Sequence, residues 1–274
     1  CKKDQIYLKK QNLSSGGISL MRWSMQKLEQ YHQEGFLLAP NLLSVEEVAA
    51  LNTDVPLLLK DDDSGMHRER EHSGAVRQVY NSHRHVPTFR NLTRHPKIVE
   101  PVQQILENSF YIWHSKLNVK EAFEGTVWLW HQDYGYWIYD GVDSKLMSVM
   151  IFLDPATLHN GCLMVISGSH LWGRQEHYSD TTTTSYKQWC IQKSVLKEKV
   201  RETEIRQITG QPGDVLFFDC NLVHSSNHNL SPIPRKSLII AYNDIDNKPR
   251  PVENPRPDWV VSRVFEEISW PEEV

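Results

Sequence analysis

Trp128-Leu129-Trp130-His131-Gln132-Asp133-Tyr134-Gly135-Tyr136-Trp137 is an apolar, aromatic run that ends in a histidine, with a carboxylate two residues further on. On an extended strand, residues i and i+2 point to the same face. His131 and Asp133 would therefore aim a neutral nitrogen and an anionic oxygen at one point. The pair suits a divalent metal that takes a third ligand from elsewhere in the chain. Side chains from several strands meet in this way inside a barrel or between two facing sheets.

The flanking sequence supplies such strands. Phe110–Val119, Thr126–Trp130, Met147–Leu153 and Cys162–Ile166 are short apolar or alternating runs, and the pattern returns at Glu204–Ile208, Val215–Asp219 and Ser237–Tyr242. Asn160-Gly161 reads as a tight turn between two of them, and Pro212-Gly213-Asp214 as another turn. Residues 171–203 interrupt the regularity. Helices come earlier. Ser24–Glu34 has helical spacing closed by Gly35, and Phe36-Leu37-Leu38 follows as a short strand. Ser44 with Glu47 forms a capping box for a helix to about Leu51, with Pro56 at its end or at a kink. Residues 60–75 are charged and aperiodic, the pattern of a mobile loop, and Arg77 to Tyr80 reads as a strand. Pro96 opens a helix to Leu106. Helices first and short strands afterwards predict a mainly β chain, with a helical layer packed on an antiparallel barrel or jelly roll.

The 274 residues suffice for one large domain with a substantial core. A net charge of −4 gives no basic surface for nucleic acid. No apolar run approaches the roughly 20 residues that span a membrane. Cys1, Cys162, Cys190 and Cys220 show no paired metal or redox spacing, and Cys162 and Cys220 fall in apolar strand patterns. Buried free thiols suit a reducing compartment, cytoplasmic or another soluble one. Residues 1–20 are polar and read as a flexible N-terminal arm.

Thirteen histidines make accidental pairs common. His32-x-Glu34 lies on a predicted helix, where residues two apart diverge. His67-x-Glu69 sits in the charged loop. His83-x-His85 is a rival chelating pair on a possible strand, but Pro87 and a polar run follow it. His224, in the Asn221–Ser226 stretch that follows the buried run Val215–Asp219, supplies the third ligand, giving two histidines and a carboxylate with open positions for iron and oxygen chemistry. Arg235 follows on the next strand. A buried arginine needs an anion, and its planar fork matches a carboxylate; an internal salt bridge is the plainer alternative.

Taken in order, Trp130-His131-Gln132-Asp133, Asn160 to His170, Pro212-Gly213-Asp214-Val215, Val223-His224-Ser225 and Pro234-Arg235 resemble the phytanoyl-CoA dioxygenase family of iron(II)/2-oxoglutarate oxygenases, most closely its ectoine-hydroxylase-like members. The resemblance runs from Gln33 to Asn243. It implies a double-stranded β-helix (jelly-roll, cupin-like) core and a single oxygenase domain over residues 21–274. It also implies iron(II) on His131, Asp133 and His224. By the same resemblance Arg235 and Ser148 would hold the distal carboxylate of 2-oxoglutarate, and Lys116 and Asn118 would line the co-substrate site. His114 stands there where a glutamine is common, and Ser167 replaces the proline usual before Gly168-Ser169-His170, whose histidine is structural. Trp137 flanks the substrate pocket in the ectoine-type enzymes; Tyr134, Tyr136 and Arg77 are further candidates. The implied reaction uses O₂ and 2-oxoglutarate, releases succinate and CO₂, and hydroxylates, desaturates or cyclises a small-molecule metabolite at an unactivated C–H. A monomer or weak homodimer is expected. The rival class is a jelly roll that binds or senses a ligand or metal without turnover.

Overall fold

The computed structural model describes residues 22–60, 65–69, 74–184, 187–201 and 204–268; the expected arm over residues 1–20 lies outside them. Helix α1, Met25–Glu34, starts on the Ser24 side chain and stops at Gly35, whose φ of 81° is left-handed. Strand β1 is Phe36–Ala39. Helix α2, Val45–Leu58, closes its capping box between Ser44 and Glu47. It runs a full turn and more past the expected end at Leu51, because Val48, Leu51, Val55 and Leu58 keep one buried stripe on the sheet while Pro56 removes a single N–H near the last turn. The charged stretch 60–75 was expected to be a loop, yet Met66–Arg68 is strand β2, paired with β3, Val76–Tyr80. Edge strands carry exposed charges, and that hid it. Helices α3, Ser82–His85, α4, Pro87–Leu92, and α5, Pro96–Leu106, follow.

The β region comprises β4, Phe110–Lys120, and β5, Trp128–His131, then helix α6, Tyr134–Trp137, then β6, Leu146–Phe152, and β7, Leu163–Ile166. The interruption at 171–203 holds the hairpin of β8, His177–Asp180, and β9, Gln188–Ile191, and helix α7, Lys193–Lys199. Strands β10, Ile205–Ile208, β11, Val215–Asp219, β12, His224–Ser226, and β13, Arg235–Asp244, complete it. The larger sheet has the order β1-β11-β6-β13-β4-β3-β2, and the smaller β10-β7-β12-β5. Neighbouring strands are antiparallel in both, and the two sheets make the jelly-roll pair. The Asn160-Gly161 turn is present, but it lies on a connection between sheets, from β6 of one to β7 of the other.

Alternation gives the larger sheet two faces. Val149, Ile151, Val215, Phe217, Leu238 and Ile240 pack with Leu28, Leu51, Val55, Ile98 and Val102 of the helices. Met150, Phe152, Leu216, Phe218 and Ile239 turn the other way and meet Leu163, Val165 and Ile208 of the smaller sheet. The same parity brings Lys116 and Asn118 of β4 and Arg235 of β13 to the inner face. Among the described residues no helix is long and apolar enough to cross a membrane. Cys162, Cys190 and Cys220 are free and buried.

Candidate metal centre and its two chambers

His131 closes β5 and His224 opens β12, and the two are register partners across that antiparallel pair. Their ring centroids are 4.2 Å apart. Asp133 does not reach them by strand alternation, as its spacing suggested. The strand ends at His131, and Asp133 has helical backbone angles (φ −57°, ψ −41°) at the entry to α6. The strand-to-helix turn swings the carboxylate back, so one ligand atom from each of the three buried residues lies within 4.8 Å of the others. Both rings sit close to the carbonyl two residues back, His131 Nδ1 at 2.6 Å from Leu129 and His224 Nδ1 at 2.9 Å from Leu222. A carbonyl only accepts, so each Nδ1 carries the proton and each Nε2 presents a lone pair.

The electrostatics agree. Burial, then the neighbouring His224, pushes His131 well below the usual histidine range, and burial lowers His224 as well. Burial alone would raise the Asp133 carboxyl; chiefly the Lys116 ammonium, with the Ser148 hydroxyl behind the carboxylate, outweighs it and holds it at about 2. Two neutral imidazoles and a carboxylate on one side make a donor set that fits a divalent metal such as iron.

Ser148, expected on the co-substrate carboxylate, instead donates to Asp133 Oδ2 at 2.8 Å. It is wholly buried behind that carboxylate and off the chamber wall. Gln132, between two of the ligands, is equally buried: its side chain donates to Asn221 O (2.7 Å) and Gly173 O (2.9 Å) and accepts from Gln175 N (2.7 Å). Its backbone N–H donates to His177 Nε2 at 3.0 Å. Neither Gln132 nor His177 was singled out from the sequence, since alternation turns a residue between two ligands away from the metal. His170 is structural as expected, with its Nε2 at 3.0 Å from His32 O and its ring packed on Gly35. The rival pair His83 and His85 lies on α3, not on a strand, and His83 Nδ1 is held by Ser115 Oγ at 2.6 Å.

Beside the ligands an inner chamber is lined by Lys116, Asn118, Ser226 and Arg235, with Trp128, Met150, Leu163, Phe218 and Ile239 as its apolar walls. Arg235 is 3% exposed, and its Nε and Nη1 have no hydrogen-bond partner among the described residues. Burial brings its pKa down to about 10. Asn118 and Ser237, register partners on β4 and β13, also hold unpartnered buried oxygens. A buried guanidinium with no counter-ion beside unfilled polar atoms fits an absent anion. Ser226 is the hydroxyl on this wall; the nearby register shift in β12 hid its direction from the sequence.

An outer chamber of about 610 Å³ opens on the other side of His131 and Asp133. Of the residues expected around a substrate, Tyr136, Trp137 and Arg77 line it. Tyr134 does not: its ring packs with Tyr111, Trp113 and Val142, and its hydroxyl donates to Val142 O at 3.1 Å. Arg77 reaches the chamber because a register shift between β2 and β3 leaves it unopposed. It pairs with Glu69 at 3.0 Å and lies 3.7 Å over the Trp128 ring. His114 also faces this outer chamber, not the inner one.

Residues 31–237 match the family model for phytanoyl-CoA dioxygenase. The chain is 34% identical to the ectoine dioxygenase of Bordetella bronchiseptica over 257 residues, covering 88% of this chain and 82% of that protein. It is 32% identical to the L-proline trans-4-hydroxylase of Streptomyces griseoviridis, over 85% of this chain and 91% of that one. The crystal structure of EctD from S. alaskensis with 2-oxoglutarate and 5-hydroxyectoine superposes with a TM-score of 0.78 at 30% identity, covering 92% of this chain and 87% of that chain. With the match extending over most of its length and the fold in agreement, the chain belongs to the phytanoyl-CoA dioxygenase family.

Proposed function

We propose that the protein is an iron(II)/2-oxoglutarate-dependent dioxygenase that hydroxylates an unactivated C–H of a small-molecule metabolite. The observation that carries this reading is the buried cluster of His131, Asp133 and His224 beside a buried Arg235 that forms no ion pair among the described residues. His131 Nε2, His224 Nε2 and the Asp133 carboxylate would hold the iron, with Ser148 and the two backbone carbonyls fixing their orientation. Arg235 would grip the distal carboxylate of 2-oxoglutarate through its fork, with Ser226 in place of Ser148 as the accompanying hydroxyl, and Lys116 and Asn118 along its length. Iron(II) with 2-oxoglutarate and O₂ supplies the oxidising chemistry and yields succinate and CO₂. The protein's own residues orient the two reactants. Trp128, Phe218 and Ile239 exclude water on the co-substrate side, and Trp137 and Tyr136 shape the substrate side. Hydroxylation is favoured over desaturation or cyclisation because the relatives named above include a proline hydroxylase.

Anaerobic addition of iron(II) and 2-oxoglutarate should give a weak visible charge-transfer band, and Asp133→Ala should abolish both the band and O₂-dependent succinate release while the far-UV circular dichroism stays native. A wild-type protein that binds no 2-oxoglutarate by calorimetry would point to the binding-only alternative. Full activity in Asp133→Ala would move the metal elsewhere.

A further inference from the structure

The outer chamber has a chemical gradient from floor to mouth. Its floor is buried: His131 and Asp133, with His114 (3% exposed) beside them. Its mouth is exposed, at His67, Arg68 and Lys187. Between the two runs a continuous aromatic wall. His67 lies 5.6 Å from Trp259, Trp259 5.5 Å from Tyr80, Tyr80 5.5 Å from His114, and His114 5.5 Å from Trp137. Trp259 belongs to the segment after β13, beyond the 31–237 family match. His114 pins that segment. Its Nδ1–H donates to Val260 O at 3.0 Å, which leaves Nε2 as a buried acceptor with no partner among the described residues.

The charges lining this space are unbalanced. Arg77 is matched by Glu69, Arg256 by Asp140 and, at the floor, Lys116 by Asp133, while Arg68 at the mouth donates to Gly74 O. Lys187 has no acidic partner among the described residues; its ammonium sits 4.7 Å over the Trp189 ring. The single carboxylate on the wall is Asp133, at the metal centre. A volume of about 610 Å³ lies in the range that encloses a drug-sized molecule.

Resting on the oxygenase reading above, we propose that the substrate is a flat, ring-containing carboxylic acid longer than a free amino acid, lying along the His67–Trp259–Tyr80 wall with its carboxylate at Lys187. The end that is oxidised lies under Trp137 at the floor, and His114 Nε2 accepts a hydrogen bond from an N–H or O–H near that end. A single lysine ammonium at the mouth, with Lys116 engaged by Asp133 at the floor, suits a singly charged carboxylate better than a dianionic phosphate, which usually gathers several donors. An aromatic wall in a chamber with a cation at its mouth rewards length, which a compact ring acid cannot exploit.

Calorimetric titration of the anaerobic iron(II) protein at saturating 2-oxoglutarate tests this without turnover. The probes are indole-3-propionate, its uncharged amide, ectoine and L-proline. The indole acid should bind at least tenfold more tightly than its amide, and more tightly than ectoine or L-proline. Lys187→Gln should bring the acid-to-amide ratio below threefold, and Trp259→Ala should weaken acid and amide together by at least tenfold. A ratio near one in wild type, a ratio unmoved by Lys187→Gln, ectoine or L-proline binding as tightly as the indole acid, or no binding by any indole probe at millimolar concentration each overturns the proposal. A separate titration with 2-oxoglutarate alone keeps the two readings apart. If 2-oxoglutarate binds and the indole acid does not, the substrate inference fails and the oxygenase reading stands. If 2-oxoglutarate itself fails to bind, the oxygenase reading fails.

Discussion

Arg235 carries an unmet electrostatic demand: a guanidinium 3% exposed, with two nitrogens lacking partners among the described residues. Truncating one member of a buried charged pair costs about 2–5 kcal/mol. Arg235→Ala should therefore raise the KM for 2-oxoglutarate at least tenfold. Arg235→Lys, which keeps the charge and loses the fork, should fall between it and wild type. Iron affinity should change little, since Arg235 is no ligand. An unfolded Arg235→Ala protein would instead favour a structural salt bridge. His114 makes a different demand. Burial first, and Lys116 second, bring its pKa down to about 3, whereas an unfolded histidine titrates near 6.5. Between those values the unfolded chain binds a proton that the folded chain refuses, so stability rises with pH. The contribution is complete above about pH 6.5 and is lost progressively as pH falls toward 3, at up to about 1.4 kcal/mol per pH unit. Urea unfolding free energies measured from pH 6.5 down to 4.5 should fall less steeply in His114→Gln, whose amide can still donate to Val260 O. Equal slopes would mean that His114 takes up its proton without loss of structure.

The turn from β5 into α6 is the element that makes the metal site, and it depends on Gly135. A Cβ there would meet the His177 ring at 2.3 to 2.6 Å, and that ring holds the Gln132 N–H between two of the ligands. Overpacking of this kind costs about 1–3 kcal/mol. Gly135→Ala should lower stability by that order and weaken iron binding. Its stability cost should shrink in a His177→Ala background, and a double-mutant cycle with no coupling would place the strain elsewhere. This turn also marks where sequence reading stops. The caps at Gly35, Ser44 and Glu47 were legible because each is a local pattern of side chain and backbone. The convergence of His131 and Asp133 was legible too, but by the wrong mechanism, since alternation and a strand-to-helix turn give the same spacing. Arg77, Ser148 and Ser226 show the harder limit. Their directions depend on register and on shifts in it, which belong to the partner strand as much as to their own.

Helices before strands correctly implied a helical layer on a sheet, and the short apolar and alternating runs correctly implied strands enough for two sheets. Which strand pairs with which is a non-local property: β4, β6 and β11 lie far apart in the chain, yet they share one sheet with β13, and no short pattern encodes that order. The consequence reaches the whole molecule. The three ligand residues sit on the smaller sheet and the turn leaving it, while Arg235 and Ser148 sit on the larger one. Metal and co-substrate together would thus tie the two sheets across the chamber, and their binding should register as global stability. A ligand that binds only the folded state stabilises it by about 2.7 kcal/mol at a hundredfold excess over its Kd. For a chain near this size each kcal/mol moves Tm by roughly 2–4 °C. Iron(II) with 2-oxoglutarate, each at a hundredfold excess over its Kd and without O₂, should therefore raise Tm by roughly 10–20 °C, about half from each. Arg235→Ala should lose the part due to 2-oxoglutarate and keep the part due to metal. Asp133→Ala should lose most of both, because chelation of the co-substrate needs the metal in place. An undiminished rise in Asp133→Ala would mean that the stabilising metal binds outside the cluster between the sheets, and the coupling of the two sheets through this site would have to be abandoned.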